Sequence, residues 1–160
     1  MSRRVLAWAL VASSTAAIAF ASPAAHAAPA AQSTTCNASL LLEFNPGLTL
    51  SERDQRIRIG GSLDGCSGGG VNSATVAGRG RGSLSCTSGS AQAIINLTWD
   101  TSERSQVLVT VDTSGNINGS VTRGKFAGEA VSASLTVTPL NGDCVFTPVT
   151  KASATGTVAL

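Results

Sequence analysis

Histidine, tyrosine and methionine are almost absent from this sequence. Its 160 residues include one histidine, His26, one methionine, Met1, and no tyrosine. Both His26 and Met1 lie in an N-terminal segment that we expect to be removed during export. Without imidazole, serine-histidine and cysteine-histidine nucleophilic sites and the common histidine-containing zinc sites are excluded. We therefore predict no catalytic residue, no metal site and no cofactor, and a protein that is not an enzyme.

Charged and aromatic side chains are also scarce, at 12% and 4% of the chain. Eleven Lys or Arg stand against nine Asp or Glu, and loss of Arg3 and Arg4 with the N-terminal segment would leave nine of each sign. A chain of balanced charge has no electrostatic footprint for nucleic acid or for an anionic membrane. We therefore predict no nucleic-acid partner, and an extracellular or cell-envelope partner whose identity the sequence does not give.

The first 27 residues have the layout of a cleaved secretory signal: a basic start, an apolar run over residues 5–21, and small residues ending in Ala25-His26-Ala27. The start at Arg3-Arg4 also resembles a twin-arginine signal, so both export routes stay open. The apolar run is at the short limit for a bilayer span. We predict a secreted, extracellular protein with no membrane span after cleavage, a disordered leader at 28–35 and a single domain at 36–160.

Helical apolar stripes of useful length are missing, and apolar residues alternate with polar ones along most of the chain. Val107, Val109 and Val111, for example, alternate with Gln106, Leu108, Thr110 and Asp112, three of which are polar. Alternation of this period predicts strands with one buried face. The predicted strands are residues 40–44, 57–63, 76–86, 92–99, 106–112, 117–121, 131–137 and 152–160, with a possible short ninth at 144–146.

Turn-forming residues lie between these runs, as in Asn45-Pro46-Gly47 and in residues 141–143. Short connections of this kind favour antiparallel neighbours. The sequence therefore predicts an all-β fold. We expect a two-sheet antiparallel β-sandwich of Ig-like architecture with eight or nine strands, and a closed β-barrel is the alternative.

Four cysteines, Cys36, Cys66, Cys86 and Cys144, remain after signal cleavage. An even number in an exported chain predicts two disulfides. If the strand that begins near Cys36 pairs antiparallel with the strand that ends near Cys66, these two cysteines lie side by side. The expected bridges are then Cys36–Cys66 and Cys86–Cys144, one of three possible connectivities.

Arg79 and Arg81 are candidate surface-site residues. They alternate with Gly78, Gly80 and Gly82, which share the parity of the buried positions of that strand, so both arginines should face outward. Two arginines on one face could bind an acidic partner. The competing explanation is that an edge strand carries charges to prevent pairing with other chains.

Asp100 and Glu103, in the turn after Trp99, are the candidate carboxylate pair. Two carboxyl groups about 5–10 Å apart are enough for a glycosidase, so a carboxylate-dependent extracellular hydrolase is an alternative function. A secreted protease inhibitor that presents residues 65–71 beside Cys66 is another. The glycine triplet in that loop argues against the inhibitor, because a flexible loop loses entropy on binding.

Four runs of the sequence resemble small secreted β-rich proteins of actinobacterial type: GSLSC at 82–86, LTWD at 97–100, GSVTRGKFAG at 119–128 and GTVAL at 156–160. The resemblance implies a β-rich fold and export from a bacterium, and it supplies no catalytic residue. Together with the composition, it leads us to expect an exported, disulfide-stabilised, non-enzymatic domain that acts as a surface binding or envelope interaction module.

Overall fold

Eight strands run through residues 33–160, the part of the chain that the computed structural model describes. They are β1 (Thr35–Leu48), β2 (Arg53–Ser67), β3 (Ala74–Leu84), β4 (Gly89–Trp99), β5 (Arg104–Asp112), β6 (Asn116–Gly124), β7 (Ala130–Pro139) and β8 (Val149–Ala159). The eight predicted strands are confirmed. Residues 144–146, the possible ninth, belong to the loop between β7 and β8. The predicted signal at 1–27 lies outside the described residues.

Each strand pairs antiparallel with the next one along the chain, and β8 pairs with β1 to close the sheet into a barrel. The predicted two-sheet sandwich is therefore wrong, and the alternative barrel is correct. The alternation of apolar residues is the same in both folds, because each buries one face of every strand. Closure depends on contacts between β1 and β8, from Thr35 with Ala159 to Leu48 with Val149.

Hairpin connections alternate between the two ends of the barrel. One end, the Trp99 end, carries the β2–β3, β4–β5 and β6–β7 connections together with Trp99 and Leu160. The other, the Cys144 end, carries the β1–β2, β3–β4, β5–β6 and β7–β8 connections together with Cys86 and Cys144. The inward side chains between these ends form a continuous apolar core.

The ordered barrel begins earlier than the predicted leader allows. Thr34 is fully buried, and its backbone exchanges two hydrogen bonds of 2.9 Å with Leu160. Thr35 opens β1 opposite Ser67 of β2. Thr34 and Thr35, the last two residues of the predicted leader at 28–35, therefore belong to the domain. In the described range no helix is long and apolar enough to cross a bilayer.

Both predicted disulfides form. Cys36 and Cys66 join the start of β1 to the end of β2, as the antiparallel register of that hairpin requires. Cys86 joins the β3–β4 turn to Cys144 in the β7–β8 loop. These two connections lie four strands apart in the eight-stranded order. The second disulfide therefore joins two connections that arise on opposite sides of the barrel mouth.

Candidate functional site

Four arginines form two rows on the outer surface of β2 and β3. In the strand register Arg56 lies opposite Arg81, and Arg58 lies opposite Arg79. All four side chains are exposed, while Gly78 and Gly80 turn inward between them. Directly opposed residues of antiparallel strands have their Cβ atoms about 5 Å apart, so like charges placed there repel each other. The two predicted candidates, Arg79 and Arg81, thus lie in a cluster of four cations.

The need to prevent an edge strand from pairing with other chains does not explain these arginines. β3 is hydrogen-bonded to β2 on one side and to β4 on the other along its whole length. It is not an edge strand, because the barrel is closed and has no edges. The competing explanation for Arg79 and Arg81 is therefore wrong.

None of the four arginines forms an ion pair with any side chain of residues 33–160. The ion pairs in that range join Lys125 to Glu103 and Lys151 to Glu43. Glu43 is the residue opposite Arg58 in β1, but its carboxylate lies 3.5 Å from the Lys151 ammonium on β8. Unpaired guanidinium groups keep all of their donors available to a partner.

The four arginines line a groove of about 1140 Å³, which we call the arginine groove. Its walls include the β1 bend at Asn45 and Pro46, and its floor extends to Ile94 and Leu108. These two side chains are opposite each other on β4 and β5, and each is nearly half exposed. Asp54 is the acidic residue among the lining residues. The groove therefore combines a net positive charge with an adjacent apolar pair.

Glycine is needed beneath this groove because β3 and β4 approach each other closely. A Cβ atom added at Gly82 would collide with the backbone of Ser90 and Ala91 on β4. One added at Gly80 would stand 2.8 Å from the carbonyl oxygen of Gln92. The alternating Gly-Arg pattern thus serves two purposes, since it permits tight strand packing and projects both arginines outward.

Asp100 and Glu103, the predicted carboxylate pair, stabilise the β4–β5 turn region instead of facing each other across a cleft. Asp100 accepts hydrogen bonds from the backbone and side-chain amides of Asn72, at 3.1 and 2.9 Å. Glu103 accepts hydrogen bonds from Lys125 at 2.7 Å and from Thr101 at 2.9 Å. These bonds lower the pKa of both carboxyl groups. A general acid needs a raised pKa near neutral pH, so this pair does not suit a glycosidase.

The acid titration of Glu103 tests this assignment. The hydrogen bond from Lys125 is the main cause of its lowered pKa, followed by the bond from Thr101. A lowered carboxyl pKa stabilises the fold above the unfolded-state pKa, and this contribution is lost as pH falls through the folded-state pKa. We expect Lys125→Met to raise the Glu103 midpoint in an NMR titration, and to reduce the fall in melting temperature below about pH 4.

Lys151→Met is the matched control for that titration, because it removes an equivalent charge whose partner is Glu43. It should leave the Glu103 midpoint unchanged. If both variants moved the Glu103 midpoint equally, the lowered pKa would result from the overall charge of the protein. The hydrogen bond from Lys125 would then not be its cause.

Residues 65–71, predicted as a loop, form the end of β2 and the turn that follows it, at the Trp99 end of the barrel. Val71 is buried, and Gly69 lies so close to the Phe126 ring that an added Cβ would stand 2.6 Å from it. Phe126 in turn packs edge-on against Trp99, with ring centroids 5.3 Å apart. A protease inhibitor presents a protruding loop, whereas this one is folded onto the barrel end.

Arg56 and Arg58 are the residues that sequence reasoning missed. The sequence does indicate that both face outward, because they alternate with the buried Gln55, Ile57 and Ile59 on β2. Their position opposite Arg81 and Arg79 required the register of the β2–β3 hairpin.

Within the described residues, no three His, Cys, Asp or Glu side chains are grouped as metal ligands. Comparison of the chain with protein-family models, with curated proteins and with solved structures finds no match.

Proposed function

We propose that this protein is an exported, non-enzymatic binding domain, and that its arginine groove binds an acidic, partly apolar segment of an extracellular protein. The observation that carries the proposal is the group of four unpaired arginines beside the exposed Ile94 and Leu108. Export agrees with the two disulfides, which persist in oxidising compartments.

The spacing of the arginines suits an extended peptide. Arg79 and Arg81 are two residues apart on one strand, so their Cα atoms are separated by about 7 Å. Every second side chain of an extended ligand has the same spacing and points in the same direction. Carboxylates at alternate positions of the ligand would therefore face successive arginines. Each planar guanidinium can bind a carboxylate through two parallel hydrogen bonds.

Apolar contact adds specificity to this charge pairing. Ile94 lies directly opposite Arg79 in the β3–β4 register, and Leu108 lies opposite Ile94. Arg58, Arg79, Ile94 and Leu108 thus follow one another across four adjacent strands. A ligand that lies along β3 with its carboxylates over Arg79 and Arg81 can reach Ile94 on β4 diagonally with a leucine placed two positions further along. Arginine and buried apolar side chains are the residue types that dominate binding energy at protein interfaces.

Nucleic acid is a poorer match to this surface. Single strands bind through aromatic platforms on which bases stack. The lining of the arginine groove contains no aromatic residue among those the structure describes.

Fluorescence anisotropy with a labelled eight-residue peptide tests the proposal. The probe has glutamate at alternate positions and two leucines at one end. We expect Arg79→Gln combined with Arg81→Gln to weaken its binding at least about tenfold, because charged hydrogen bonds contribute about 1.5–3 kcal/mol each. Arg104→Gln combined with Arg123→Gln is the matched control. It removes the same charge from a separate depression on β5 and β6, and should change the affinity less than about twofold.

Three further results decide the ligand class. A peptide with serine in place of both leucines should bind more weakly, and salt should weaken both peptides. Equal losses in the two arginine variants would show that the groove is not the site. Polygalacturonate that competes as strongly as the leucine peptide would reassign the groove to acidic polysaccharide and overturn the choice of a protein partner.

A further inference from the structure

The barrel interior contains a cavity of about 190 Å³ in its Cys144 half. Aliphatic and small side chains form most of its wall, including Leu40, Ile57, Ile59, Ala91, Ala93 and Ala152. The interior of an eight-stranded barrel is just wide enough to be filled by side chains or to hold one small ligand. Here the small inward residues leave that space unfilled.

The two halves of the barrel differ in how they are closed. At the Trp99 end, the buried Trp99 fills the interior, and the partly buried Phe126 packs against it from the β6–β7 connection. At the Cys144 end, the cavity reaches the rim, where it is lined by Cys86, Cys144 and Pro139. The Cys86–Cys144 disulfide ties the β7–β8 loop to the β3–β4 turn on the opposite side of this mouth. The β7–β8 loop thus lies over the mouth, and Phe44 is the aromatic side chain of the cavity lining.

The buried polar side chain of the cavity lining, Ser85, is already hydrogen-bonded within the protein. The Ser85 hydroxyl oxygen accepts hydrogen bonds from the Thr87 and Ser88 amides. The buried side-chain oxygen without a partner in the described residues belongs to Thr34, at the opposite end of the barrel. Water needs two or more polar partners to occupy a cavity, and apolar cavities that lack them stay dry and take up apolar molecules.

We propose that this cavity is a second binding site, which takes one small uncharged apolar molecule of roughly six to nine non-hydrogen atoms, such as a single aromatic ring. A cavity of about 150 Å³ with similar walls holds one benzene molecule, which sets this size range. The site is independent of the arginine groove, because it lies on the inner face of the barrel wall and the arginines lie on the outer face.

Asp112 excludes anionic ligands from the same site. It lines the rim of the cavity, and its carboxylate accepts hydrogen bonds from the backbone and side-chain amides of Asn116. These bonds lower the pKa of Asp112, so the rim carries a negative charge at neutral pH. A ligand carboxylate would be repelled there and would lose its hydration in the apolar interior.

Methyl NMR of the purified protein with benzene as the probe tests this site. We expect saturable shifts at Leu40, Ile57 and Val149, which line the cavity, and none at Val107 and Val121, which do not. Benzoate at the same concentration should give no shifts. Melting temperature should rise with benzene, because a ligand that binds only the folded state stabilises it.

Ala152→Leu fills the cavity from β8 and should weaken benzene binding at least tenfold. Ala77→Leu is the control, because it adds the same bulk to an exposed position of β3 outside the cavity lining. Circular dichroism and cooperative melting establish whether each variant is folded. If Ala152→Leu does not fold, Ala91→Val takes its place. Unchanged benzene affinity in a folded cavity-filled variant, shifts on the outer face, or no saturable shift up to the solubility of benzene would each overturn the proposal. Peptide binding to the arginine groove should be the same in every case.

Discussion

Replacing Trp99 with alanine should lower the free energy of unfolding by about 3–5 kcal/mol, the range for the loss of a large buried aromatic side chain. Trp99 is 2% exposed and fills the Trp99 end of the barrel. The ring also supports its neighbours, because it packs edge-on against Phe126 and donates a 2.8 Å hydrogen bond from Nε1 to the Ser105 hydroxyl. Urea unfolding followed by circular dichroism measures the change.

The hydrogen-bond chain beyond Trp99 explains why its loss affects more than one strand. The Ser105 hydroxyl accepts the Trp99 bond and donates its own hydrogen to the Lys125 carbonyl. Lys125 leads into Phe126, and its ammonium is paired with Glu103. Trp99 on β4 thus positions the start of β5 and the β6–β7 connection together.

Trp99→Phe separates the two contributions of this side chain. Phenylalanine keeps most of the apolar contact but leaves the Ser105 oxygen without its donor, which should cost about 1–3 kcal/mol. Ile94→Ala removes an exposed apolar side chain and should cost well under 1 kcal/mol. A loss below 1 kcal/mol in Trp99→Ala would show that the Trp99 end unfolds separately from the rest of the barrel.

Strand positions could be predicted because burial on one side leaves a local trace in every strand. Val107 and Val109 are buried, and Leu108 between them is nearly half exposed. The difference between a sandwich and a barrel leaves no such local pattern in the sequence. It depends on pairing between Thr35 and Ala159, which lie at opposite ends of the domain sequence. The alternation in the sequence therefore predicts the strands, but it does not predict whether they close into a barrel.

The two candidate sites differ in how much of each could be predicted. The outward direction of Arg79 and Arg81 could be predicted from the alternation along β3. The cluster also contains Arg56 and Arg58, and their position beside the first two depends on the register of the β2–β3 hairpin. The cavity could not be predicted at all. It is defined by what small side chains such as Ala91 and Ala152 leave unfilled, and that depends on all strands facing it.

An unfilled cavity reduces the stability of the fold. At about 24 cal/mol for each Å³, a void of 190 Å³ costs up to about 5 kcal/mol relative to a filled core. This is a large fraction of the 5–15 kcal/mol typical of a domain. Covalent bridges can offset such a loss, and one of the two lies at the mouth of this cavity.

Removing the Cys86–Cys144 bridge by Cys86→Ala combined with Cys144→Ala should lower the free energy of unfolding by about 4 kcal/mol. The bridged residues are 58 apart in sequence, and closing a loop of that length restricts the unfolded chain by about this amount in the chain-entropy model. Urea unfolding of the purified variant measures the loss.

Cys36→Ala combined with Cys66→Ala is the matched control for the second bridge. Its loop is shorter, with a separation of 30, so its stability loss should be smaller by roughly 0.6 kcal/mol.

The two variants should differ far more in the mobility of the β7–β8 loop. In the β7–β8 loop the Asp143 carboxylate still accepts hydrogen bonds from the amides of Val145, Phe146 and Thr147. Without Cys86–Cys144, however, no hydrogen bond among residues 33–160 links this loop to the opposite rim. Amide exchange at residues 140–148, and benzene exchange with the cavity, should therefore accelerate in the Cys86/Cys144 variant alone. Equal acceleration in both variants would mean that the disulfide stabilises the barrel as a whole and does not control access to its mouth.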